Sequence, residues 1–207
     1  MKLKKIASLA LAGIMAVSML AGCKDGTNQE DPSSSSSEVT VTSGAAAALN
    51  AAMTRNGDML SFKDDSDLDK NLEAYFKLHP IKGDEWNTAN YGKIYESSDN
   101  KALNDVVSAD FWGINKLNNI VSSTTDIDKS GAVVGMFNTK VYTKADALKT
   151  VGAAIDKNDF ATDTNDKEDG KEFTYSGKAS IVQVSSAGGS ASVWVVVAVV
   201  TKGYEKV

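Results

Sequence analysis

The sequence predicts an α+β domain: N-terminal helices packed on a small, mainly antiparallel C-terminal sheet, with one further helix between the strands. Three observations carry this. Apolar residues recur at helical spacing over 66–79 and again over 99–121. Residues 172–180 alternate apolar and polar, the period of a half-buried strand. Val193-Trp194-Val195-Val196-Val197-Ala198-Val199-Val200 is apolar on both faces, too β-branched to prefer a helix and too short to cross a bilayer. That run is expected to be the central strand, covered on both sides.

The first 22 residues stand apart from this domain. Lys2, Lys4 and Lys5 form a positive start, and Ile6 to Leu20 is apolar apart from Ser8 and Ser18, the pattern of a secretory signal. A retained transmembrane helix needs roughly 20 apolar residues, more than this stretch supplies. Leu20-Ala21-Gly22-Cys23 closely resembles the lipobox of bacterial lipoproteins. The resemblance covers residues 1–23 and implies that the signal is removed before Cys23, whose sulfur then carries a diacylglycerol. Cys23 is the sole cysteine, so a lipidated chain has no disulfide, no thiol nucleophile and no thiolate ligand. Stability must come from a core.

Residues 23–43 then read as the lipidated cysteine and a flexible tether: Pro32, five serines at 33–37 and too few apolar residues to pack. Serine-rich tethers of this kind resemble those of Gram-positive surface lipoproteins. Residues 44–207 form the expected single domain, and with 42% apolar residues in the whole chain a core is affordable. The 22 basic side chains less the three lysines of the signal leave 19 against 27 acidic ones, a formal charge of −8. With Arg55 the sole arginine and the lysines spread among acids, the chain lacks the basic clusters that nucleic acid requires.

Within the domain, Gly44 to Asn56 is expected to be an alanine-rich helix with Thr42 or Ser43 as N-cap and Gly57 as terminator. Ser66 with Asp69 forms a capping-box pattern ahead of Leu68, Leu72, Tyr75 and Phe76, and Pro80 ends that helix. His79, the sole histidine, is expected to interact with the last carbonyls of its own helix. Residues 81–100 are polar yet hold Trp86, Tyr91 and Tyr95, with a short strand expected at Tyr91–Glu96. Such aromatics stack on sugars, anchor a partner protein or fold back over the core, so the three are binding candidates. Asp99 or Asn100 starts the next helix, which reaches about Val121; Gly113 within it marks either a close approach of another backbone or a break in the helix.

Asp126-Ile127-Asp128-Lys129-Ser130-Gly131-Ala132-Val133 matches the first half of a calcium loop of the EF-hand type, with Asp126, Asp128 and Ser130 as oxygen ligands. Phe137 stands where the bidentate glutamate belongs, so the alternatives are a weakly bound calcium completed by another acid, or a turn whose aspartates cap backbone N–H groups. No other cofactor is expected. A strand at 132–142, a helix opened by Thr143 and Asp146 with Leu148, Val151 and Ile155 inward, and a solvated acidic loop at 156–171 follow. The chain closes with a hairpin turning at Ala187-Gly188-Gly189-Ser190, with a bulge or two-sided burial where Ile181, Val182 and Val184 break the alternation.

The function expected from this reading is a non-enzymatic lipoprotein at the outer face of the cell membrane that binds a protein, peptide or glycan. The alternative is a carboxylate-dependent, glycan-directed envelope hydrolase, since Asp and Glu are the plentiful acid-base groups. No residue is singled out as catalytic.

Overall fold

Two strands of 15 residues each form the spine of the fold, β6 (Lys171–Ser185) and β7 (Ser192–Lys206). The computed structural model of the protein describes residues 37–81, 92–96, 106–125, 128–162, 171–186 and 189–206. β6 and β7 run antiparallel in unbroken register from Lys171↔Lys206 to Ser185↔Ser192. β5 (Lys129–Asn138) pairs antiparallel with the other side of β7. The outer edge of β6 is shared by β1 (Glu38–Thr42), antiparallel along 181–185, and β2 (Leu60–Asp64), parallel along 175–179. The outer edge of β5 is shared in the same way by β3 (Lys93–Ile94), antiparallel, and β4 (Phe111–Trp112), parallel. The order is β1-β6-β7-β5-β3, so β7 is the middle strand.

Helices cover both faces of this sheet. On one face Val196, Ala198 and Val200 meet side chains from α1 (Ala45–Ala52), α3 (Ile114–Ser122) and α4 (Lys144–Asp156). On the other, Val195, Val197 and Val199 share a core with Leu68, Leu72 and Phe76 of α2 (Ser66–Leu78). The two-sided apolar run of β7 is thus explained, each fully buried valine contributing about 1.5–3 kcal/mol. The same architecture decides between the two readings of Ile181, Val182 and Val184. The register has no bulge; Ile181 enters the first core while Val182 and Val184 enter the second.

α4 starts as expected, with Thr143 and Asp146 forming a reciprocal capping box, and Leu148, Val151 and Ile155 are buried. α2 is capped one residue earlier than expected. Asp65 rather than Ser66 accepts the N–H groups of Asp67 (3.1 Å) and Leu68 (2.8 Å). His79 ends α2 with Nδ1 3.1 Å from the Tyr75 carbonyl and its ring stacked on Tyr75, the local role expected of it. Of the two readings of Gly113 in the helix expected over 99–121, the structure has the break. Residues 111–112 are strand, and Gly113, at φ 110° and ψ 145° in a region essentially closed to other residues, turns the chain into α3. α1 is shorter than expected, with left-handed Gly44 at its N-cap position. Its alanines let α4 approach closely. A Cβ on Gly152 would lie 2.7 Å from the Ala52 Cβ.

β1 revises the domain boundary. Residues 38–42, counted with the tether in the sequence reading, pair with Ile181–Ser185, and Val39 is buried in the second core. Alternating Val and Thr with no glycine or proline is good strand sequence; next to five serines it looked like linker. Limited proteolysis should therefore cut ahead of Ser37. N-terminal sequencing of the resistant fragment should read Ser37 or Glu38, and a fragment starting near Gly44 would show that β1 does not hold in solution. β2 is not among the elements expected from the sequence. Its outer edge is closed by Asn50 of α1, whose Oδ1 accepts the Phe62 N–H (2.7 Å) and whose Nδ2 donates to the Phe62 carbonyl (3.0 Å).

Candidate functional site

β2 begins opposite Tyr175, so among the described residues nothing pairs with the start of β6 on that edge. There the Phe173 N–H turns to the Thr162 carbonyl at 3.1 Å, and a groove of about 430 Å³ opens between the turn at Asp58–Met59 and the start of β6. Phe173 and Tyr175 supply its apolar lining, and Asp58, Glu172 and Glu205 its charge. Glu172 and Glu205 are directly paired across the ladder. Like charges in that position are destabilising, and a ligand bearing ammonium or several hydroxyl groups would relieve them.

The lining is held rigid from behind. The Tyr175 hydroxyl donates to the carbonyls of Val121 (3.1 Å) and Ala161 (2.7 Å), and burial pushes its pKa up to about 12 against the opposing effect of the Ala161 bond. It is a pinned wall, not a proton donor to substrate. Lys202, fully buried, donates from Nζ to the carbonyls of Ile120 (3.2 Å) and Ser123 at the end of α3, and its ammonium lies 3.7 Å from the centre of the Phe173 ring. A cation is favourable at that helix terminus and over that ring.

Another carboxylate, that of Asp156, ties two distant segments together. Asp156, expected in a solvated loop, is instead buried at the end of α4. It accepts the successive N–H groups of Thr54 (3.0 Å), Arg55 (2.9 Å) and Asn56 (2.8 Å) and the Thr54 hydroxyl (3.0 Å). Three N–H groups converging on one anion form a nest. Burial raises the pKa of Asp156, but these bonds outweigh it and the carboxyl is held below its usual range. Asp65 is also held low, first by the Lys178 ammonium at 2.8 Å, and Asp146 by its bonds to Thr143.

Of the residues singled out from sequence, Tyr95, Asp128 and Ser130 fall among the described ones. Cys23, Trp86, Tyr91 and Asp126 lie outside the described residues. Tyr95 is half-buried against the second core, and its hydroxyl lies 3.1 Å from Met136 Sδ. Asp128 is exposed at φ 54°. Ser130 and Gly131 belong to β5, so Gly131, which should make the sharp turn of a calcium loop, pairs instead with Val200 and Phe111. The Ser130 N–H and hydroxyl both donate to Asp110, at 2.8 and 3.1 Å. Among the described residues no group of three or more metal-ligating His, Cys, Asp or Glu side chains comes together. The groove acids Asp58, Glu172 and Glu205 were missed because no spacing links residues so far apart in the chain.

Compared with family models, curated proteins and solved structures, the chain matches none. What the fold defines is a class: an α+β domain of three layers, its mainly antiparallel sheet covered by helices on both faces.

Proposed function

We propose that the protein is a membrane-anchored extracytoplasmic lipoprotein whose domain is a non-enzymatic binding module at the outer face of a bacterial, Gram-positive cell envelope. The observation that carries this reading is the run from Lys2 to Cys23: a positive start, an apolar stretch and Leu20-Ala21-Gly22-Cys23, followed by serine-rich sequence. Acyl chains on Cys23 anchor the chain, since two chains give stable binding where one is marginal. The net negative charge leaves the lipid as the membrane contact. The ligand is a protein, peptide or glycan, and the groove beside β6 suits one rich in ammonium or hydroxyl groups. No cofactor takes part. The alternative is a carboxylate-dependent, glycan-directed hydrolase using the acids of the same groove, Asp58, Glu172 and Glu205.

Cys23→Ala should leave the signal uncleaved and abolish incorporation of radioactive palmitate. Equal labelling of variant and wild type would refute the anchor. The purified protein should release no reducing ends from cell-wall glycan; release that disappears in Glu172→Gln would transfer the reading to the hydrolase.

A further inference from the structure

β1 is the outermost strand beside β6, and among the described residues its outward edge carries no hydrogen bond. Its ladder runs to β6 alone, and the Thr42 hydroxyl turns to the same strand, to the Ile181 carbonyl at 3.3 Å. The neighbouring edge strand is treated differently. On β2 the Asn50 amide occupies both polar groups of Phe62, the place that a further strand would take. β1 has no such plug. It has no proline or bulge to blunt it; its one charged residue, Glu38, stands at its start, and the rest of Glu-Val-Thr-Val-Thr is β-branched.

We infer that this edge is an interface with a second copy of the chain, the two β1 strands pairing antiparallel about a two-fold axis at Thr40. The strand matches itself in that register. Thr40 faces its own counterpart, Val39 faces Val41 and Glu38 faces Thr42, so no like charges oppose each other. Val39 and Val41 both lie on the face that packs with α2, and the pairing continues that apolar stripe from one copy into the other. Glu38 and Thr40, exposed in the single chain, form the opposite, polar face. A parallel in-register pair would set Glu38 against Glu38, which is unfavourable. Two-fold symmetry requires a self-complementary patch, and that property selects a second copy over an unrelated strand.

The test uses the full-length, membrane-extracted chain, whose single native cysteine is Cys23. Directly opposed residues have Cβ atoms about 4.5–5.5 Å apart, so Thr40→Cys should oxidise to a disulfide-linked dimer of doubled mass on a non-reducing gel. Wild type reports any contribution of Cys23, and Thr201→Cys, exposed on β7 away from β1, reports random collision; both should stay single. In sedimentation the wild type should run as a dimer and Thr40→Lys as a monomer with an unchanged melting curve, since that side chain is exposed in the single chain. Cross-linking of Thr40→Cys no greater than that of Thr201→Cys would overturn the inference. So would equal sedimenting mass for wild type and Thr40→Lys, or a different protein found disulfide-linked at position 40.

Discussion

Val197→Asp should prevent the protein from accumulating in folded form. Val197 lies in the middle of β7, fully buried, with Val134 of β5 on one side and Ser180 of β6 on the other. Its side chain enters the core beneath α2 with Leu68, Leu72 and Phe76, where a carboxylate finds no partner of opposite charge among the core residues. An uncompensated buried charge costs several kcal/mol, on the order of 3–5, against a total stability of roughly 5–15 kcal/mol for a domain. Soluble yield and the far-ultraviolet melting curve check this. A melting temperature near that of wild type would mean that β7 is not the covered middle strand.

The second large effect is expected at Asp156. Asp156→Ala removes the acceptor for three successive N–H groups and leaves the Asn56 N–H buried, since Asn56 is 5% exposed. The expected loss is about 2–4 kcal/mol in urea denaturation at neutral pH, from charge-assisted bonds and one unsatisfied buried donor. The effect depends on pH with a definite sign. The carboxyl is held below its ordinary value in the fold, so its stabilisation is fully present above the unfolded value of about 3.9 and is lost as pH falls through the lower, folded value. The stability gap between wild type and variant should therefore be widest at neutral pH and narrow once the pH drops below about 4. A gap that stays constant between neutral and acidic pH would mean that Asp156 contributes through packing and not through its charge.

Much of the fold was legible in the sequence wherever one short stretch carried its own signal. The capping box at Thr143, the stripe of Leu148, Val151 and Ile155, the alternation from Phe173 to Ala179 and the apolar run of β7 are each complete within about two turns or one strand. The errors fall where two stretches compete or cooperate. Asp65 took the cap from Ser66 because both are good cap residues one position apart. Gly113 was recognised as a weak point, but only pairing of 111–112 with Gly131–Ala132 decides that the helix breaks there. The pattern from Asp126 to Val133 suggested a loop because its first half has the right spacing; pairing of Ser130 and Gly131 with β7 makes its second half a strand.

By itself the sequence determined the middle of the molecule, since a run such as Val193–Val200 has no stable place except under cover on both faces. The proposed signal and anchor rest on the covalent order of Lys2 to Cys23 alone. Tertiary structure alone decided the edges and the polar anchors. Thr54 meets Asp156 across 102 residues, Thr42 meets Ile181 across 139, and Glu172 meets Glu205 only because the hairpin closes in that register. Hydrophobic periodicity is a property of neighbours along the chain. A hydrogen bond between distant residues depends on the register in which whole elements dock, and that register is set by the packed core before any single polar pair can select it.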